Sequence, residues 1–188
     1  MGKYKLKLAA IALVAIVMTF FAQETLAYYT TVGTATNVVT SGNIQLTIHE
    51  TAKGGNPFPK EGVYVTPGQI VSKEVRVENS CAHPFYLRVK AVYGIDSKTL
   101  SAEDCFKLDI NPADWTLADG WYYYNRIVDP GETTPVFFSL VEMVGAKMDN
   151  AYLGKTLTLT VKALAGQSQN KPVPEDDITT AVGWPQEE

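Results

Sequence analysis

The feature that most constrains the fold is a two-residue alternation of apolar and polar side chains in four separate stretches. Successive side chains of a β-strand point to opposite faces, so this period predicts strands that bury one face. No longer window carries the apolar stripe of an amphipathic helix. The alternating apolar positions are Ile44, Leu46 and Ile48; Val75 and Val77; Phe85, Leu87, Val89, Ala91 and Tyr93; and Leu157, Leu159, Val161 and Ala163.

Turn signals separate these strands from one another. Pro67-Gly68 and Pro130-Gly131 each join a proline, which fixes φ near about −65°, to a glycine that permits positive φ. Such pairs are typical of hairpins and of corners between sheets. Three further strands are predicted, at residues 63–66, 121–128 and 135–143.

Residues 95–117 have no clean period, and we expect a long loop there that carries a short helix near residues 101–107. The rest of the pattern consists of seven or eight short strands with turns between them. This predicts an all-β fold, an antiparallel β-sandwich or jelly roll.

The first 27 residues have the layout of a secretory signal peptide. Three lysines precede an apolar run over residues 8–22, and the segment ends on the small residue Ala27. A membrane span needs roughly 20 apolar residues, whereas Gln23 and Glu24 end this run early. We therefore expect cleavage between Ala27 and Tyr28 and a secreted or cell-surface product.

The sequence divides into a signal peptide (1–27), an extended N-terminal segment (28–42), a sandwich domain (43–166) and an acidic, proline-containing tail (167–188). The tail has no apolar periodicity, so we expect it to be solvated. Removal of the signal peptide takes away three lysines and one glutamate, which changes the formal charge from −4 to −6. An acidic product repels nucleic acid, so no nucleic-acid partner is expected.

The chain contains two cysteines, Cys81 and Cys105. In an oxidising compartment they are candidates for a disulfide, which would stabilise the fold by about 3 kcal/mol if its geometry is unstrained. Two free thiols are the alternative. Sequence spacing alone cannot show whether two Cα atoms lie within bridging distance.

A zinc-protease motif begins but is not completed. His49-Glu50 opens like HExxH, yet Lys53 stands where the second histidine should be, and the preceding residues are a predicted strand. His83 is the other histidine of the chain, and two histidines do not supply even three ligands. There is also no G-x-S-x-G nucleophile elbow. We therefore expect no catalytic residues, no metal site and no cofactor.

The aromatic residues are densest at Trp115 and over residues 121–124. Rings on a β-sandwich can stack on sugars, which makes Trp115, Trp121 and Tyr123 a candidate surface for a polysaccharide. Side chains alternate along a strand, however, so two residues of the run 121–124 should fill the core. A sugar-binding module is therefore one function class, and core packing is the alternative for the same rings.

Residues 28–48 contain no charged side chain and are rich in β-branched and aromatic residues. Such a segment adds readily to an open sheet edge. It can either pair with a neighbouring copy or form the first strand of its own sandwich. The candidate residues of a donated strand are Tyr28, Tyr29, Thr30, Val32, Thr34, Thr36 and Val38.

Several motifs in order resemble the TasA/camelysin family of Gram-positive bacteria. They are the signal end Thr25-Leu26-Ala27-Tyr28-Tyr29-Thr30; the segment that runs from Gly33-Thr34 to Gln45-Leu46; Pro67-Gly68-Gln69 before Val77-Glu78-Asn79; Asp119-Gly120-Trp121 before Pro130-Gly131-Glu132; and Met148-Asp149-Asn150-Ala151-Tyr152-Leu153-Gly154 before Ala163 and Gln167. The resemblance covers most of residues 8–167.

The resemblance implies a jelly-roll sandwich exported through an ER-type signal peptidase. It also implies a fibre subunit of the biofilm matrix that forms a homopolymer by donating its N-terminal strand. Matrix polysaccharide is a further candidate partner only through the aromatic residues described above. The resemblance also implies an alternative function, that of a secreted metalloprotease, because camelysin-like members are cell-surface metalloproteases.

Overall fold

The computed structural model describes residues 29–32, 44–168 and 177–185. These residues form eleven strands and four 3₁₀ helices. The strands are β1 (Tyr29–Val32), β2 (Leu46–Thr51), β3 (Val63–Val65), β4 (Ile70–Ser72), β5 (Glu74–Asn79), β6 (Phe85–Ile95), β7 (Phe106–Leu108), β8 (Trp115–Ala118), β9 (Trp121–Tyr124), β10 (Leu140–Met143) and β11 (Thr156–Gln167). The 3₁₀ helices are Glu103–Cys105, Gly145–Lys147, Asn150–Tyr152 and Ile178–Thr180.

The strands form two layers around one core. A six-stranded sheet has the order β3-β1-β11-β6-β9-β8, and two smaller sheets have the orders β4-β10-β7 and β2-β5. Backbone hydrogen bonds from Val75 to Phe138 and from Lys73 to Ser139 join β5 to the segment that leads into β10. Apolar side chains from all three sheets meet in a single cluster. The predicted all-β sandwich is therefore confirmed.

β6 and β11 are the two long strands of the large sheet, and they pair antiparallel over eleven consecutive residue pairs. Their alternation is the one that the sequence predicted. Leu87 and Val89 on β6 and Leu159 and Val161 on β11 have no exposed surface. Intervening residues such as Lys90 are partly exposed. The buried face supplies the centre of the core, because each inward side chain removes its apolar surface from water.

Both predicted proline-glycine turns are present. Gly68 has φ of 82° and Gly131 has φ of 77°, in the left-handed region that favours glycine. The tight hairpin between β8 and β9 has positive φ at both central residues, 49° at Asp119 and 76° at Gly120. Two central residues with positive φ are the type I′ geometry, which matches the twist of the strands that it joins.

The structure differs from the predicted elements mainly in the short strands. The predicted strand at 121–128 ends at Tyr124, and the one at 135–143 begins at Leu140. β4, β7 and β8 were not predicted, because three or four residues are too few to show a period of two. Within the predicted long loop, the short helix is the 3₁₀ helix Glu103–Cys105, but β7 and the start of β8 also lie there.

The C-terminal segment is not a solvated tail throughout. Residues 177–185 pack on the outer face of the large sheet, where Ala181 is buried and Trp184 lies against Tyr123. β11 itself extends to Gln167. The apolar residues of this acidic segment have no helical or strand period, so no sequence pattern predicted that they would dock.

Candidate functional site

β1 lies inside the large sheet, in a slot between β3 and β11 that we call the β1 slot. It pairs in parallel with β11, where Thr30 lies opposite Thr156. On its other side it pairs antiparallel with β3, where Thr31 lies opposite Val63. Both neighbours belong to the body of the sandwich, so β1 is a strand inserted between two strands of the folded domain.

The body of the sandwich supplies the β1 slot with both backbone edges and an apolar floor. Val65 on β3 and Leu157 and Leu159 on β11 have no exposed surface. Each backbone hydrogen bond in such a ladder contributes about 0.5–1.5 kcal/mol net. Without β1, the facing edges would hold unpaired N–H and C=O groups, which is the condition under which a sheet recruits another strand.

The structure places part of the predicted donor segment in this slot. Tyr29, Thr30 and Val32 belong to β1. Ala27, Tyr28, Thr34, Thr36 and Val38 lie outside the described residues. Of the two alternatives for the segment, the structure shows the second for residues 29–32, which form a strand of their own sandwich.

Trp115 does not form a sugar-binding surface. Its side chain is buried in the main core, 5.2 Å from the ring of Tyr124 and 4.9 Å from that of Phe137, measured between centroids. The rings of Trp115 and Tyr124 lie opposite each other on the inward face of the hairpin formed by β8 and β9. Of the two alternatives for this ring, core packing holds and the sugar-binding surface does not, because Trp115 sits at an inward position of β8.

Trp121 and Tyr123 are also buried, although they point away from the main core. They form a second, smaller cluster with Leu164 on the outer face of the sheet. Ile178 and Trp184 from the C-terminal segment cover this cluster. The candidate aromatic surface is therefore not exposed at these residues either, because the docked segment 177–185 covers them.

Both cysteines are free thiols in this structure, which is the second of the two alternatives for Cys81 and Cys105. The Cys81 thiol donates hydrogen bonds to Asn79 Oδ1 at 2.9 Å and to the carbonyl of His83 at 3.1 Å. Cys105 is buried beside the 3₁₀ helix, where burial raises the pKa of its thiol. A protonated, buried thiol is a packing group and a poor nucleophile.

The two histidines do not assemble a metal site within the part of the chain that the structure describes. His49 Nε2 lies 2.6 Å from Glu78 Oε2 across β2 and β5. His83 uses its backbone carbonyl to accept from Asn79 and Cys81. No group of three or more ligand-type side chains is found among the described residues.

An open cleft of about 740 Å³ runs along the edge of β6 beyond its pairing with β9. Its lining includes Tyr93, Tyr122, Leu100 and Leu117. The ring of Tyr93 stacks on that of Phe106, with 5.1 Å between centroids. Burial, with the nearby charges of Tyr122 and Glu103 adding to it, raises the pKa of Tyr93 to about 12, so its hydroxyl stays protonated.

Comparison of the chain with protein-family models, with curated proteins and with solved structures finds no match. Among the described residues there is no helix with the length and apolar character needed to cross a bilayer. Function therefore has to be inferred from the sequence pattern and from the β1 slot.

Proposed function

We propose that this protein is an exported structural subunit of the cell surface or extracellular matrix, and that it assembles by exchanging β1 between copies. The observation that carries the proposal is the position of β1 between β3 and β11. The β1 slot binds a strand by main-chain pairing on both sides. The resemblance to the TasA/camelysin family favours the same function.

A strand held by main-chain pairing makes the same hydrogen bonds whether it comes from its own copy or from a neighbour. Register would come from the alternation of inward and outward residues. An exchange in which each copy gives β1 to the next is heterologous, and such contacts extend into filaments when they do not close into a ring. The uncharged sequence of residues 28–48 suits a strand that must enter an apolar slot.

Export and assembly would be coupled through the signal peptide. While residues 1–27 remain attached, Tyr28 is held at the membrane, and the strand that follows cannot reach another copy. Cleavage after Ala27 frees it. Polymerisation would then begin outside the cell, which protects the secretory route from premature filaments.

Deletion of residues 28–36 tests the proposal. We expect a folded, soluble monomer that forms no filaments, because the described core cluster from Leu46 onward draws its side chains from the body of the sandwich. Val32→Lys should slow assembly without unfolding the domain, since it places a charge in β1. Size-exclusion chromatography and electron microscopy measure both effects, and circular dichroism confirms the fold.

Ile127→Lys is the matched control, because it adds the same charge at an exposed β-branched residue outside β1. It should assemble at the rate of the unchanged chain. Filaments from the deleted form would contradict strand exchange. So would a deleted form that cannot fold, because β1 would then be an obligatory core strand.

A further inference from the structure

The outer face of the large sheet carries an aromatic and basic patch that lies opposite the main core. Trp121 and Tyr123 reach this face from β9, and Arg88 reaches it from β6. Lys90 lies nearby, with its Nζ 5.6 Å from the centroid of Trp121. Lys162 is the register partner of Lys90 on β11. We call Arg88, Trp121 and Tyr123 the outer-face site.

Residues 177–185 occupy this site as a preformed turn. Asp177 Oδ1 accepts from the N–H of Thr179 at 3.0 Å and so caps the 3₁₀ helix Ile178–Thr180. The indole N–H of Trp184 donates to the carbonyl of Ala181 at 2.6 Å. These local hydrogen bonds fix the ring of Trp184 in a defined direction, which lowers the ordering cost of docking.

Arg88 is the centre of the contact. Its guanidinium lies between two indole rings, 4.5 Å from the centroid of Trp121 and 4.6 Å from that of Trp184. Arg88 Nη1 donates to the hydroxyl of Tyr123 at 3.3 Å. Its Nε is buried and has no hydrogen-bond partner among the described residues. A planar cation beside two aromatic faces is a specific recognition geometry, because the guanidinium is attracted by the negative face of each ring.

The docked segment contributes no side chain to the main core. Its apolar contacts belong to the outer cluster, and the main core cluster includes none of its residues. Eight residues connect Ser168 to Asp177. Such a connection can span at most roughly 3.3–3.6 Å per residue, close to 30 Å, which is enough to reach an adjacent molecule.

We propose that the outer-face site is a peptide-docking site, and that it takes residues 177–185 from a second copy of this chain as well as from its own. Charge favours this occupant, because residues 177–185 carry one acidic residue and no basic ones and are flanked by acidic residues at 175–176 and 187–188, while the site is flanked by Lys90 and Lys162. Opposite charge speeds the encounter and selects against basic partners. This contact is independent of β1.

Two complementary variants of the chain beginning at Tyr28 test the exchange. Trp184→Ala leaves an intact site with a defective tail, and Arg88→Ala leaves an intact tail with a defective site. We expect that mixing them produces a 1:1 complex in size-exclusion chromatography with light scattering, which neither variant forms alone. Any association through β1 occurs in each variant separately and is subtracted.

A labelled peptide of residues 177–188 provides a second measurement that does not depend on Arg88→Ala being well folded. It should bind the Trp184→Ala chain saturably, and the same peptide with alanine at position 184 should bind at least tenfold more weakly. An unchanged mass on mixing two folded variants overturns the exchange. Equal binding of the two peptides, or no binding, overturns the docking site itself.

Discussion

At the scale of single residues, Lys73 and Glu50 form a charged pair inside the smaller layer. The side chain of Lys73 is 2% exposed and that of Glu50 is 10% exposed, and Lys73 Nζ lies 2.9 Å from Glu50 Oε1. The same Nζ lies 4.7 Å from the centroid of the Phe58 ring. Buried charges are tolerated only when they are paired, so each member of this pair depends on the other.

We therefore expect Glu50→Leu to lower the free energy of unfolding by about 3 kcal/mol, because it leaves the Lys73 ammonium buried and unpaired. The double variant Glu50→Leu with Lys73→Met should recover most of that loss, since both charges are gone. Urea denaturation measures both values.

The control is Glu142→Gln. Its partner Lys107 lies 3.4 Å away, and both side chains are well exposed, so the change should cost less than about 1 kcal/mol. If Glu50→Leu cost no more than this control, the buried pair would have no special role in stability.

At the scale of elements, Asp109 connects the end of β7 to the start of β10. Asp109 Oδ1 accepts from the N–H groups of Ser139 and Leu140, each at 2.7 Å, and Oδ2 accepts from the Ser139 hydroxyl. Burial raises the pKa of this carboxyl, but these hydrogen bonds together outweigh burial and hold the pKa below its ordinary value. The ionised carboxylate is thus the form that organises the junction.

Because the pKa of Asp109 is lower in the folded state, the stability that its ionised carboxylate contributes depends on pH in one direction. It is fully present above the unfolded pKa of about 3.9 and is lost as the pH falls through the lower folded pKa. We expect Asp109→Asn to destabilise the protein at pH 7 and to have a progressively smaller effect from pH 4 down to pH 2. Denaturant titrations at several pH values test this. A difference that stays constant with pH would show that the charge of Asp109 is unimportant.

The sequence predicted those elements whose burial alternates over five or more residues, such as β6 and β11. It did not predict β7 or the contact of Asp109 with Ser139, because these depend on residues about thirty positions apart in the chain. The division of residues 121–124 between two faces was also predictable. The covering of the outward pair, Trp121 and Tyr123, was not predictable, because the covering residues lie in a segment without periodicity.

At the scale of the whole molecule, the six-stranded sheet joins the two features that bear on assembly. The gap between its strands β3 and β11 is the β1 slot, and the face of the sheet away from the main core carries the outer-face site. The first engages the N-terminal segment and the second engages the C-terminal one. Both ends of the described chain therefore bind the same sheet, and the two proposed exchanges would take these contacts from another copy.

Strand exchange is tested most directly by a cysteine pair across the β1 slot. Thr30 and Tyr64 are partners in the antiparallel pair of β1 with β3, where Cα atoms lie about 4.5–5.5 Å apart, within the range of a disulfide. The paired variant carries Thr30→Cys and Tyr64→Cys, together with Cys81→Ala to remove a competing thiol. Leu117→Cys replaces Tyr64→Cys in the control, since β8 is at the opposite edge of the sheet.

Filaments of the paired variant are oxidised and analysed by non-reducing gel electrophoresis. Exchange of β1 predicts a ladder of covalently linked chains from the paired variant and none from the control. Filaments whose paired cysteines are oxidised only within single chains would contradict it, because β1 would then remain in its own copy while the subunits associate by another surface.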